Sequence, residues 1–120
     1  MNREHTIKEL KDAVHDFCEE RDWEQYHGAK DLAIGVITEA SELLEHFRFR
    51  SDEECHALFD DPEKRESIED EIADVFYFLL RLGGKYDIDL THALHRKLKK
   101  NALKYPVDKA KGSNLKYDEL

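Results

Sequence analysis

The stretch IEDEIADVFYFLLRL, residues 68–82, decides the fold. Ile68, Ile72, Val75, Phe76, Leu79 and Leu82 recur at three- and four-residue steps, the period of one helical face. Glu71 and Asp74 flank that apolar arc, and their three-residue step puts both carboxylates on one side, about one turn apart. A second stretch, LAIGVITEASELLEHF over residues 32–47, repeats the arrangement. Val36, Ile37, Ala40, Leu43 and Phe47 form its arc, and Glu39 and Glu42 lie at the edge. Two such helices packed side by side can aim four carboxylates into one space. Repelling carboxylates call for a counter-charge, and hard cations such as Mg²⁺ prefer oxygen ligands. With 28 Asp and Glu in 120 residues, roughly six acidic pairs at this step arise by chance. Spacing alone therefore leaves a metal site and a rim of solvated charges equally open.

The rest of the chain reads as helices around these two. Thr6 can cap a first helix to about Glu20, with Ile7, Leu10, Val14 and Phe17 on one face. Residues 21–28, RDWEQYHG, form a loop carrying two aromatics. The second helix is expected from about Lys30 to Phe49. Ser51–Asp61 is a polar connector with a short helix around Cys55 to Phe59. Pro62 suits the first turn of a third helix, expected to reach Leu82 before Gly83-Gly84 ends it. Asp89 caps a fourth helix through about Tyr105, and residues 109–120 form a polar tail. There is no internal repeat, Gly-rich phosphate loop or strand alternation. An all-α four-helix bundle follows, as one domain over residues 1–120.

Composition bounds the partners. The net charge of −9 and the pI near 5.2 disfavour binding to nucleic acid polymers or anionic membranes, which need a basic footprint. Between Glu39 and Asp74 stand 14 acidic and four basic residues; between Lys85 and Lys116, nine basic and three acidic. That asymmetry suits a polyphosphate ligand bringing its own metal, and equally suits charge balance between neighbouring helices. Cys18 and Cys55 show no disulfide framework, which fits a reducing compartment. Residues 1–5 carry no apolar leader, so a cytoplasmic protein without a membrane anchor is expected. Glu24-x-x-His27 and Glu53-x-x-His56 match a di-iron spacing but lie outside long apolar helices, and His92 and His95 read as surface residues.

With the acidic pairs on consecutive long helices, the chain resembles the MazG-like all-α nucleoside triphosphate pyrophosphohydrolases, whose signature is E-x-x-E followed by E-x-x-D. It looks most like their dCTP pyrophosphatase branch. Residues 21–27, RDWEQYH, resemble that branch's R-D-W-E-Q-F-H segment. Lys97-x-x-x-Asn101-x-x-Lys104-Tyr105-Pro106 resembles its K-x-x-x-N-x-x-R-Y-P helix end, and residues 115–120, LKYDEL, its C-terminal segment.

The resemblance implies a role for each matching position. Glu39, Glu42, Glu71 and Asp74 would hold Mg²⁺, and a water would attack the α-phosphorus of a pyrimidine deoxynucleoside triphosphate, dCTP first, releasing pyrophosphate. Glu42 is the acid assigned to orient that water. Lys97, Asn101 and Tyr105 share one helical stripe and, with Lys104, would hold phosphate oxygens. Trp23, His27, Asp31, Phe49 and Phe78 would form the base pocket. Three of these depart from the branch: Phe49 replaces tryptophan, Asp31 asparagine and Phe78 tyrosine. Broader or dUTP-preferring turnover, and a non-enzymatic cation-binding module, are the alternatives. The family's dimers or tetramers imply a homo-oligomer here.

Overall fold

The computed structural model describes residues 4–120. Residues 1–3, part of the segment read as lacking a leader, lie outside the described residues. Among the described residues the chain forms six α-helices, a closing 3₁₀ turn (Tyr117–Glu119) and no strand: α1 (Ile7–Glu20), α2 (Ala29–Glu45), α3 (Asp52–Leu58), α4 (Pro62–Lys85), α5 (Leu90–Lys104) and the single turn α6 (Val107–Ala110). They fall into two compact units, Met1–Asp87 and Ile88–Leu120.

Helix starts are set locally. Thr6 accepts from the Glu9 amide while the Glu9 carboxylate reaches back to the Thr6 amide, a closed capping box. Ser51 and Glu54 repeat it at α3. Asp61 accepts from the Glu63 and Lys64 amides beside Pro62, whose missing N–H costs nothing in the first turn. Asp89 caps α5 through the His92 amide.

Helix ends depend on packing, and two expectations are corrected. The second helix stops at Glu45 instead of Phe49. Residues 46–49 tighten into turns, and Phe49 takes a left-handed φ of 63°. The cause is tertiary: Phe47 stacks on Phe59, which follows α3, at 5.9 Å, and Cys55 donates to the Phe47 carbonyl. The third expected helix, here α4, does not end at Gly83-Gly84 but continues to Lys85. Glycine in a helix interior costs about 1 kcal/mol. That cost is offset because Gly83 is buried and Lys85 anchors the last turn, its ammonium donating to the carbonyls of Glu24 and His27. Lys85→Met should loosen the 24–27 loop. Amide exchange there is expected to rise about tenfold, the loss of roughly 1.5 kcal/mol for hydrogen bonds from a charged donor, while α2 protection stays unchanged.

In the first unit α4 is central, packed on α2 and on α1. The buried stripe of α2 runs through Leu32, Gly35, Val36, Glu39 and Leu43, so Glu39 lies on the stripe and not at its edge. Ile37 and Ala40, assigned to the arc, are exposed instead. On α4, Ile68, Glu71, Val75, Phe78 and Leu82 turn inward, while Ile72, Phe76 and Leu79 are exposed. The α2–α4 crossing is tight: a Cβ on Gly35 would stand 2.6 Å from the Phe78 ring. Only glycine allows that approach.

Candidate active site

The inward turn of Glu39 and Glu71 builds the first part of the site. Oxygens of Glu39, Glu42 and Glu71 lie within 4.8 Å of one another. One oxygen each of Glu39 and Glu71 is enclosed without any hydrogen-bond partner. Enclosed acceptors without donors are costly, and three convergent carboxylates add repulsion. The donor set is all oxygen and carries negative charge, so it fits a hard dication. Asp74, the fourth residue of the sequence pattern, is exposed and outside this trio. It still contributes to the field that disfavours ionising Glu39 and Glu71. His46 brings Nε2 to 3.9 Å from Glu71 and acts in the opposite direction.

The electrostatics record that crowding. A hydrogen bond with Glu42, then burial, then the charges of Glu42, Asp74 and Glu71 push the Glu39 carboxyl from 4.5 to about 7. Burial and Glu42 also raise Glu71. Because the folded pKa of Glu39 lies above the unfolded one, its contribution to stability is fully present below about pH 4.5. It is lost as pH rises through about 7. Metal-free protein is therefore expected to melt lower at pH 8 than at pH 5.5. A divalent cation should raise Tm more at pH 8, where it does not compete with the proton. Melting curves at both pH values with and without Mg²⁺ check this; a larger metal effect at pH 5.5 contradicts it.

Glu39 also lines an open cleft of ≈460 Å³ between α2, α4 and the loop after α1. That volume is in the range of small-molecule pockets. Trp23 stands at the cleft because α1 ends in a Schellman motif: the Trp23 amide donates to the Cys18 carbonyl at 2.9 Å, the Asp22 amide to Glu19 at 3.0 Å, and Asp22 takes φ 57°. The indole packs edge-on against Phe17 at 5.8 Å. His27 and Asp31 line the same cleft, with Asp31 accepting from the Gly28 amide at 3.3 Å. Phe78 forms its wall beside Gly35. The neighbouring Tyr77 also lines the cleft, its hydroxyl 3.1 Å from the Cys18 sulfur. Burial and that contact hold the phenol neutral, its pKa pushed up to about 12.

Of the residues expected in the base pocket, four therefore line the cleft and Phe49 does not. Its ring is 92% exposed, beneath the Arg48 guanidinium at 4.6 Å. Lys97, Asn101, Lys104 and Tyr105 lie in the second unit, on α5 and its cap, where Tyr105 meets Tyr117 edge-on and the Lys104 ammonium lies 4.8 Å from the Tyr117 ring. Sequence reasoning passed over Arg81, which lines the cleft and is buried. Its signal was an arginine inside the apolar run of residues 75–82, where a charge is out of place.

Fold and site together define an all-α protein with a carboxylate cluster beside an aromatic cleft, the two sharing Glu39. Residues 34–120 match the MazG-like family. The rat protein dCTP pyrophosphatase 1 is 33% identical over 117 residues, 98% of this chain and 69% of the relative. The human protein of the same name is 32% identical over 117 residues, with the same coverage. A solved pyrophosphatase from Archaeoglobus fulgidus superposes with a TM-score of 0.78 at 36% identity, over 88% of this chain and 97% of that one. The chain belongs to the MazG-like family. No helix among the described residues is long and apolar enough to cross a membrane.

Proposed function

We propose that the chain is a nucleoside triphosphate pyrophosphohydrolase acting on pyrimidine deoxynucleotides, dCTP first, with Glu39, Glu42, Glu71 and Asp74 holding Mg²⁺. One observation carries the reading: Glu39 belongs both to the carboxylate trio and to the lining of the aromatic cleft. A base stacked on Trp23 thus has its phosphates within reach of the acids. When bound, Mg²⁺ would neutralise the triphosphate and ease deprotonation of the attacking water. Glu42, the exposed member of the trio, orients that water toward the α-phosphorus. Trp23 and Phe78 exclude bulk water from the base. Asp31 accepts from the base's N–H edge, as only an acceptor can.

Lys97, Asn101, Lys104 and Tyr105 are proposed phosphate ligands on the strength of the family resemblance. Free Cys18 and Cys55 suit a reducing cytoplasm. Exposed Ile72, Phe76 and Leu79, one side of α4, support a homodimer or homotetramer. Phe49 is fully outward in a strained left-handed conformation, and its base-stacking role then falls to a site on a second copy.

A second reading, dUTP preference, is favoured by Asp31, because uracil N3–H also suits a carboxylate. Turnover of dCTP, dUTP and dTTP separates the two. The expected order places dCTP highest; equal or greater turnover of dUTP supports the alternative, and no pyrophosphate from any nucleotide sinks both.

A further inference from the structure

We infer that Arg81 is a base-reading residue that donates to the O2 carbonyl shared by cytosine and uracil. The inference rests on the pyrophosphohydrolase reading and extends it to a residue outside the metal site. Arg81 is 5% exposed, yet no carboxylate pairs with it among the described residues. Burying a guanidinium without a counter-charge is expensive unless its donors are used. Nη1 is used, lying 3.2 Å from His27 Nδ1. Arginine can only donate, so Nδ1 accepts and His27 carries its proton on Nε2. Nη2 is enclosed and forms no hydrogen bond; the guanidinium also lies against Tyr77, its carbon 6.0 Å from the ring centroid, and its charge favours ionisation of that phenol. A cleft-lining arginine whose Nη2 hydrogens are unused is complementary to an acceptor that arrives with the ligand.

Position along α4 says which part of the ligand that is. Arg81 lies seven residues beyond Asp74, about 10 Å along the axis at 1.5 Å per residue. Asp31 lies eight residues before Glu39 on α2, about 12 Å by the same rise. The donor of Arg81 and the acceptor of Asp31 thus stand together at the end of the cleft remote from the acids, beside Trp23. Phosphates belong at the acidic end, and the base reaches the other. Cytosine and uracil differ at positions 3 and 4, which Asp31 addresses, and share O2. Arg81 also borders a water-sized hollow of ≈10 Å³ with Glu24 and Lys85.

The sole tryptophan, Trp23, reports base stacking directly. Its fluorescence is titrated with dCMP, dUMP and pyrophosphate in the presence of Mg²⁺, for the wild type, Arg81→Gln and Arg81→Lys, alongside kcat and KM for dCTP and dUTP. Arg81→Gln is expected to weaken dCMP and dUMP equally, by about ten- to a hundredfold, the cost of leaving a buried group unpaired. KM should rise by the same factor with kcat within about twofold, the mark of lost uniform binding. Pyrophosphate binding and Tm should hold, and Arg81→Lys should restore part of the affinity. Loss confined to dCMP or to dUMP overturns the O2 assignment. Unchanged nucleotide binding, or loss that includes pyrophosphate, overturns the base-reading role. A wild type that releases no pyrophosphate from dCTP defeats the function, while nucleotide quenching lost in Arg81→Gln still establishes the base contact.

Discussion

Glu39→Gln is expected to abolish turnover and, at pH 8, to make the metal-free protein more stable. Glu39 is the residue shared by the trio and the cleft. Removing one charge from the metal set should cost about a thousandfold in kcat/KM, or roughly 4 kcal/mol of transition-state stabilisation. The stability gain has a separate cause. The Glu39 carboxyl is pushed up to about 7 by Glu42, by burial and by the acids around it, so at pH 8 the folded chain carries an unfavourable charge that the amide lacks. The gain should fade toward pH 5, where Glu39 is already protonated. Asp74→Asn should lose activity similarly with less change in Tm, since Asp74 is exposed. Activity assays and melting curves on the same preparations check both halves. A Glu39→Gln protein that is inactive but less stable at pH 8 would mean the acids are tied down by something other than repulsion awaiting a cation.

Gly35→Leu is expected to be the most damaging single change outside the acids. The Phe78 ring occupies the space a side chain would need, with three ring atoms 2.6–2.8 Å from the Cβ position. Overpacking of this kind costs about 3 kcal/mol, a fall in Tm of roughly 10 °C for a domain of this size. Because Phe78 also forms the cleft wall, KM should rise as well. The milder Gly35→Ala gains about 1 kcal/mol of helix propensity, and still clashes. In a Phe78→Leu background that clash should shrink, giving a measurable coupling between the two sites. Additive effects would show that Gly35 serves only the helix.

What could be read from the chain alone was whatever is local. Thr6 and Asp89 begin helices by bonds spanning three residues, and both were legible, as was Pro62 in a first turn; the Asp61 cap beside it was not named in the sequence pattern. The ends of α2 and α4 were not, because Phe47 stacking on Phe59 and Lys85 bonding the 24–27 loop join residues far apart in sequence. The acidic steps announced a shared face but not its direction. Only packing turns Glu39 and Glu71 onto the buried stripes and leaves Asp74 outside the trio. Trp23 and His27 were legible through the aromatic loop. Arg81 was not, since an arginine in an apolar run shows its purpose only when its neighbours are known to lack a carboxylate for it.

Hydrolysis at the α-phosphorus is read out by ³¹P NMR of dCTP turned over with Mg²⁺ in ¹⁸O-enriched water. dCMP and pyrophosphate are expected as the only products, with the heavy oxygen on dCMP. Label on pyrophosphate, release of dCDP and orthophosphate, or intact dCTP would contradict attack at that phosphorus.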